Sequence, residues 1–181
     1  ISQESLLLSL KNQINPHFIY NSLNIANEFL IDENFKAANI FLSDFAELLH
    51  FTLEDFQKQF VPLNKEIRFI QLYLNLQHQR FRENFNYTLD CDSLLHSSSY
   101  VIPCMMIQPF IENAIQHGIL PSRKKGILNV SFKINKGQLF CIIEDNGVGR
   151  HSDSTNNNKS KNHKIGISNI DLRIQYINEL Y

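Results

Sequence analysis

Four short segments hold the residues whose types and spacing point to chemistry. The first is Gln13-Ile14-Asn15-Pro16-His17-Phe18-Ile19-Tyr20-Asn21, in which an imidazole directly follows a proline. Proline inside a helical pattern is costly, because it lacks an amide proton and its ring clashes with the carbonyl four residues back. Here that carbonyl belongs to Asn12, and Asn15 is pushed away from helical geometry. Either Pro16 kinks one long helix beside the imidazole, or Asn15 caps a helix that Pro16 begins. His17 is the candidate nucleophile: an unperturbed imidazole has a pKa of roughly 6.5, so it is largely neutral and nucleophilic near pH 7.

The second segment is Pro109-Phe110-Ile111-Glu112-Asn113-Ala114-Ile115-Gln116-His117-Gly118. Its pattern places Glu112 and Asn113 mid-helix, where an amide without a ligand is an awkward core residue. The Asn113 side-chain oxygen is a hard neutral ligand of the kind Mg2+ accepts beside phosphate oxygens and water. His117, one turn on, shares a face with Asn113 and is placed to meet phosphate. Glu112 is a candidate to orient the imidazole or take its proton. The third segment, Glu144-Asp145-Asn146-Gly147-Val148-Gly149, follows an alternating strand pattern. Asp145 at the strand end is suited to accept a hydrogen bond from an exocyclic amine such as that of adenine, while Gly147 and Gly149 allow close backbone approach. The fourth, Lys164-Ile165-Gly166-Ile167-Ser168-Asn169, opens a helix with a glycine. A helix start directs free amides at phosphate, and Lys164, Gly166 and Asn169 are the candidates there. Singly, each segment has a plainer reading as a turn, a cap or a solvated face. Their occurrence together, in this order, favours phosphoryl transfer from a nucleotide to His17.

The elements that must position these residues follow from periodicity. Leu7, Leu10, Ile14, Phe18, Asn21, Ile25 and Phe29 recur at three- and four-residue spacing, one helix face. His17 lies one residue off that stripe, about 100° around the axis, at the rim of the buried face. Ala38, Phe41, Leu42, Phe45, Leu48, Leu49 and Thr52 trace a second helix, and Asp32-Glu33-Asn34 separates the two as a hairpin turn. Two helices bury too little alone, so a second copy completing a four-helix bundle is expected. Pro62 marks a boundary between residues 1–60 and 61–181. Asn64 is a plausible N-cap for a third helix carrying Ile67, Ile70, Leu74 and Phe81. Residues 85–89 alternate like a strand; 97–99 form a loop. An apolar stretch from Pro103 ends at His117-Gly118, where glycine stops a helix. Strands at 127–134 and 138–144 flank a hairpin turn at Lys136-Gly137. Residues 150–164 contain no apolar side chain and read as a loop, and 165–181 as a helix.

Composition sets the bounds. The chain has 181 residues, 43% hydrophobic and 19% charged, which favours a packed core over disorder. A net charge of -1 provides no field for nucleic acid. Cys91, Cys104 and Cys141 are far apart and odd in number, which fits reduced thiols in a cytoplasmic setting. No apolar run approaches the ~20 residues of a membrane span. The chain begins with Ile1 and is expected to be a piece of a longer protein, with any membrane or sensor region upstream.

From about Leu10 to the last residue, the chain resembles the catalytic core of LytS/YehU-type sensor histidine kinases. Gln13 to Phe18, continued by Asn21, Leu23 and Asn24, match the family's hallmark block, and Leu63, Glu66, Tyr73 and Arg80-Phe81 fall where the family places them. Glu112-Asn113-Ala114 with His117-Gly118 is similar to its N box, Asp145 to Gly149 to its aspartate-glycine box, and Gly166, Asn169 and Arg173 to its second glycine box. Three positions depart from the pattern. Gln77 stands where the family usually has Glu, Lys164 where it often has Gly, and the chain stops at Tyr181 where the family adds strands. The resemblance implies an α+β protein: a helical hairpin forming a dimeric four-helix bundle, then a two-layer α/β sandwich of Bergerat (GHKL) type lacking its last strands. It further implies Mg-ATP as donor, residues 150–164 as the ATP lid, and transfer from His17 to an aspartate of a response regulator receiver domain. The setting would be the cytoplasmic part of an inner-membrane sensor. A GHKL ATPase using Glu112 to activate water, and a non-catalytic dimerising module, are the alternatives.

Overall fold

The computed structural model describes residues 16–55, 58–93, 100–122, 124–135 and 138–149. Their order is α1 (Pro16–Ile31), α2 (Phe35–Asp55), β1 (Phe60–Pro62), α3 (Leu63–Phe81), a 3-10 turn (Arg82–Asn84), β2 (Phe85–Cys91), β3 (Val101–Pro103), α4 (Gln108–Asn113), a π-helical turn (Ala114–Ile119), β4 (Gly126–Asn135) and β5 (Gln138–Asp145). This is an α+β arrangement in which a helical region precedes an α/β unit. The part of the first stripe before Pro16, the expected loops at 97–99 and 150–164, and the expected helix at 165–181 lie outside the described residues. Among those described, no helix is long and apolar enough to cross a membrane.

The expected helical hairpin is present. Asp32 to Asn34 form the turn, with Glu33 at a φ of 56°. Asn34 caps α2, its side-chain oxygen accepting from the Ala37 amide at 3.2 Å. Phe29 meets Phe41 and Phe18 meets Phe45, both with ring centroids 6.0 Å apart. The early residue of α1 thus pairs with the later residue of α2, as antiparallel packing requires. Ser22 and Thr52 are buried but satisfied locally, each hydroxyl donating at 2.8 Å to the carbonyl four residues back. Pro16 and His17 are the first two described residues of α1.

Helix α3 is the central element, with Ile70, Leu72, Leu74 and Leu76 all buried. It begins at Leu63, two residues earlier than an Asn64 cap would place it, and Pro62 stands at its cap position without a side-chain bond. The expected cap, Asn64, instead accepts from the adjacent Lys65 amide at 2.9 Å. The helix holds α2 through a two-pronged pair, Arg68 Nε and Nη2 donating to Glu47 Oε1 and Oε2 at 2.8 and 2.7 Å. It holds β2 through the Tyr87 hydroxyl, which donates to Asn75 Oδ1.

The main sheet has the order β2-β4-β5, β2 parallel to β4 and β5 antiparallel to it. The expected strand at 85–89 runs on to Cys91. The hairpin ladder closes at Asn135↔Gln138, and the two connecting residues lie outside the described set. Along β4, Leu128, Val130 and Phe132 are fully buried while Ile127 and Asn129 are exposed, so one sheet face packs on the helices. A second ladder, β1 against β3, was not expected from the sequence. All three cysteines are free thiols, and burial pushes the Cys141 thiol up to about 12.

Candidate functional site

The helical segment carrying Glu112, Asn113 and His117 changes winding partway. Gln108–Asn113 is α-helical, and from Ala114 the turns widen to a π-helix. Leu120 donates to the carbonyl of Ile115, five residues back, at 2.9 Å. Glu112 and Asn113 therefore lie in the middle of the continuous helical segment, as expected, at the point where α winding gives way to π. Gly118 does not stop the helix, because the π winding continues through Ile119. Ile111, Ile115 and Ile119 are buried across the change and keep the segment seated on the core. Single π turns are uncommon and often mark functional sites.

The wider turn lets Gly118 meet the loop after β5. The Val148 amide donates to the Gly118 carbonyl at 3.0 Å. A Cβ on Gly118 would lie 2.6 Å from Asp145 Oδ1, and one on Gly147 would lie 2.2 Å from the Gly118 carbonyl carbon. Gly147 has no room for a side chain, while at Gly118 only the end of the Asp145 side chain stands in the way. The loop is also fastened from below. Asn146 Oδ1 accepts from the Ile127 amide at 2.7 Å, and its Nδ2 donates to the Lys125 carbonyl at 3.1 Å. Asp145 ends β5, and its Oδ1 accepts from the Gly147 amide at 2.9 Å, closing a tight turn. Gly149 has a φ of 74°, which disfavours a side chain, with open space around it.

The structure thus joins two of the predicted segments. Asn113 is half-buried and His117 exposed at one side of the Gly118–Gly147 junction, and Asp145 is exposed at the other. Lys164, Gly166 and Asn169 lie outside the described residues, as does the side chain of His17. The neighbour of His17, Phe18, is half-buried. It stacks on Tyr73 of α3, with centroids 6.1 Å apart and planes 24° apart.

Glu112 turns toward α3. Its Oε1 accepts from Gln108 Nε2 at 2.7 Å. Burial raises its pKa, and the neighbouring Gln108 and Tyr73 side chains pull it partway back. Tyr73 is itself buried and held well above the usual phenol range, first by desolvation and then by the Glu112 charge. Gln77 is 1% exposed, and its Oε1 accepts no hydrogen bond. The sequence reading did not see this cluster. Only the four-residue spacing of Gln108 and Glu112 hinted at it. Asn146 and Gly118 were likewise missed as the parts that hold the loop.

Among the described residues, no group of three or more His, Cys, Asp or Glu could hold a metal ion. A divalent cation here would rely on a single amide oxygen, that of Asn113, with the rest of its shell from phosphate and water. That donor set fits Mg2+, which keeps most of its water and takes few protein ligands when phosphate is present.

Comparison with known proteins gives a family model, described as "Histidine kinase", that matches residues 5–85. The chain is 29% identical over 180 residues to the sensor protein LytS of Oceanobacillus iheyensis, covering 95% of this chain and 30% of the relative. It is 27% identical over 180 residues to the sensor histidine kinase YpdA of Escherichia coli, covering 98% and 31% respectively. It is 34% identical over 152 residues to the sensor histidine kinase YesM of Bacillus subtilis, covering 82% and 25%. The chain therefore spans at most 31% of the length of these relatives.

Proposed function

The chain belongs to the histidine kinases of the LytS kind, and on that premise we propose that it is a phosphoryl-transfer core that moves the γ-phosphoryl of ATP to His17. One observation carries this reading beyond family membership: the Gly118–Gly147 junction, which fastens the Asn113–His117 segment to the Asp145 turn. Two polar segments far apart in sequence are built against each other with no room for side chains between them. Such a junction makes a fixed cradle, and fixed cradles suit phosphoryl transfer, where positioning and charge neutralisation supply most of the rate.

In this reading Asp145 accepts from the adenine amine, and Asn113 and His117 face the phosphates. Gly166, Lys164 and Asn169 complete the phosphate side, and residues 150–164 close as a lid. Mg2+ held by Asn113 supplies neutralisation of phosphate charge when bound. His17 attacks as neutral imidazole, and its proton leaves through a nearby base. Glu112 suits that role, because burial brings a carboxylate pKa closer to working pH. The phosphoramidate is then passed to an aspartate of a receiver domain. The α/β unit is a Bergerat-type sandwich in this account, and the chain the cytoplasmic part of a membrane sensor.

A homodimer also follows from this reading. The helical hairpin exposes Tyr20, Leu23, Ile31, Phe35, Ile40 and Leu53, more large apolar surface than a lone hairpin should leave in water. Packing against a second copy would bury it as a four-helix bundle.

The test is incubation of the full-length protein with γ-labelled ATP, followed by acid and alkali treatment of the labelled product. Acid-labile, alkali-stable label on wild type and none on His17→Gln is the expected result. Equal labelling of His17→Gln would sink the assignment. Steady phosphate release without label would favour an ATPase.

A further inference from the structure

Glu66 is a buried carboxyl group that the proposed chemistry does not use. It lies in the first turn of α3 and is 3% exposed. A helix start favours an acid there but does not require burying it. Its Oε2 accepts from the Met105 amide at 3.1 Å, a bond between residues 39 apart in sequence. Met105 has a φ of 52°, in the left-handed region that a residue with a side chain enters only at a cost. The hydrogen bond and the strained angle therefore meet at one residue.

The chain is fixed on both sides of that residue. Before it, β3 pairs with β1, and the Cys104 amide donates to the Gln59 carbonyl at 3.2 Å. After it, the Ile107 carbonyl accepts from the Phe110 and Ile111 amides at 3.1 and 3.4 Å, which starts the winding of α4. Ile107 and Ile111 are both buried. Met105 is thus the bend at which the chain leaves the β1–β3 ladder for α4, and its backbone angle sets the direction of that helix. Asn113 ends α4, and His117 lies in the π turn that continues it. A change at Met105 swings both.

We infer that Glu66 is a positioning residue for nucleotide binding: its hold on the Met105 amide keeps the bend in its left-handed form and so aims α4, with Asn113 and His117, at the proposed cradle. The inference rests on the phosphoryl-transfer reading for the identity of the ligand, and on the hydrogen bond and backbone angle for its geometry. Glu66 does not touch the nucleotide; it acts through Met105. Without its hold the bend relaxes toward ordinary angles. Only the molecules that still keep the bend then bind well, and apparent affinity falls by that fraction. Glycine adopts positive φ freely, so Met105→Gly should keep the bend with less help.

The experiment titrates a non-hydrolysable ATP analogue into full-length wild type, Glu66→Gln, Glu66→Leu, and Glu66→Leu combined with Met105→Gly, and records the thermal midpoint of each. Glu66→Gln keeps an acceptor oxygen within reach of the amide and should bind within about twofold of wild type. Glu66→Leu keeps a similar volume but has no acceptor, and its affinity should fall about tenfold. Losing a negative charge favours an anionic nucleotide, so the fall cannot come from charge. Adding Met105→Gly should bring affinity back to within about threefold of wild type, even though the lost side chain lowers the thermal midpoint further. Should the leucine protein not fold, Glu66→Asp, one methylene short of the amide, takes its place with the same outcomes.

A purely structural Glu66 gives the opposite result. Met105→Gly then leaves the affinity where Glu66→Leu put it, or deepens the loss along with the loss of stability, and either overturns the inference. So does a Glu66→Leu protein that binds like wild type. If wild type binds the analogue but takes no label from γ-labelled ATP, the kinase reading fails, and the affinities alone still decide the role of Glu66. If wild type binds no analogue, both fail.

Discussion

Gly147 and Gly118 are packed backbone against backbone: a Cβ on Gly147 would sit 2.2 Å from the carbonyl carbon of Gly118 and 2.3 Å from its oxygen. Backbone cannot move aside as the end of a side chain can, so Gly147→Ala must separate the loop from the π turn. The loss of fit should cost about 1–3 kcal/mol in stability, and nucleotide affinity should fall with it. Gly118→Ala meets only the tip of Asp145, at 2.6 Å, and should cost less stability. Urea unfolding of both variants, beside titration with an ATP analogue, checks the order. A Gly147→Ala protein as stable as wild type would remove the junction as the basis of the cradle.

Asp145→Asn separates structure from binding at the same loop. The Gly147 amide needs only an acceptor oxygen at 2.9 Å, and asparagine supplies one. The turn should survive, with the unfolding midpoint and the proposed dimer unchanged. What is lost is the charged acceptor proposed for the adenine amine. Hydrogen bonds to charged groups contribute about 1.5–3 kcal/mol, so affinity for ATP should fall by about tenfold or more. Isothermal titration and light scattering together decide it, and loss of the dimer would make Asp145 structural.

How much of this was legible in the sequence depended on the range of the interactions. The hairpin and its Asp32 to Asn34 turn were readable because their causes lie within a few residues, whereas the cap that Asn34 supplies to α2 was not read. The sheet strands after Asn84 were readable from alternation. The β1–β3 ladder was not, since three residues carry too little pattern. The start of α3 was misplaced because Pro62 and Leu63 set it by backbone geometry while Asn64 offered a better-looking cap. Gly118 was read as a stop because its role depends on Asp145 and Gly147, nearly thirty residues on. The candidate site divided in the same way. Its residues were visible as motifs, but Asn146, which holds the Asp145 loop, acts through contacts remote in sequence.

Glu112 gives a pH prediction with a definite sign. Its folded-state pKa is raised, mainly by burial. Its stabilising contribution is therefore complete below the unfolded value of about 4.3 and is lost as pH rises through the folded value. The titratable group beside it is the buried, neutral phenol of Tyr73. Glu112→Gln keeps an acceptor for Gln108 and removes the charge. Its stability relative to wild type should rise as pH increases from about 4 toward neutrality, and then level off. Denaturant unfolding at several pH values shows whether it does, and a variant whose stability relative to wild type falls as pH rises would contradict the burial argument.

Gln77 supplies the complementary case, because it occupies a position where the resembling family usually has a carboxylate. Its Oε1 is buried without a hydrogen-bond donor. Gln77→Leu removes the orphan acceptor at similar volume. An unsatisfied buried group costs about 1–3 kcal/mol, so the variant should match or slightly exceed wild type in stability. Gln77→Glu is different in kind. It places a carboxylate at 1% exposure beside the buried Tyr73. Desolvation raises its pKa. The penalty should therefore be small at acid pH and grow as pH rises. Unfolding of the two variants at pH values on either side of neutrality distinguishes them: the leucine protein should track wild type, and the glutamate protein should fall away from it. A Gln77→Glu protein equally stable at all pH would mean that the cluster around Tyr73 admits water.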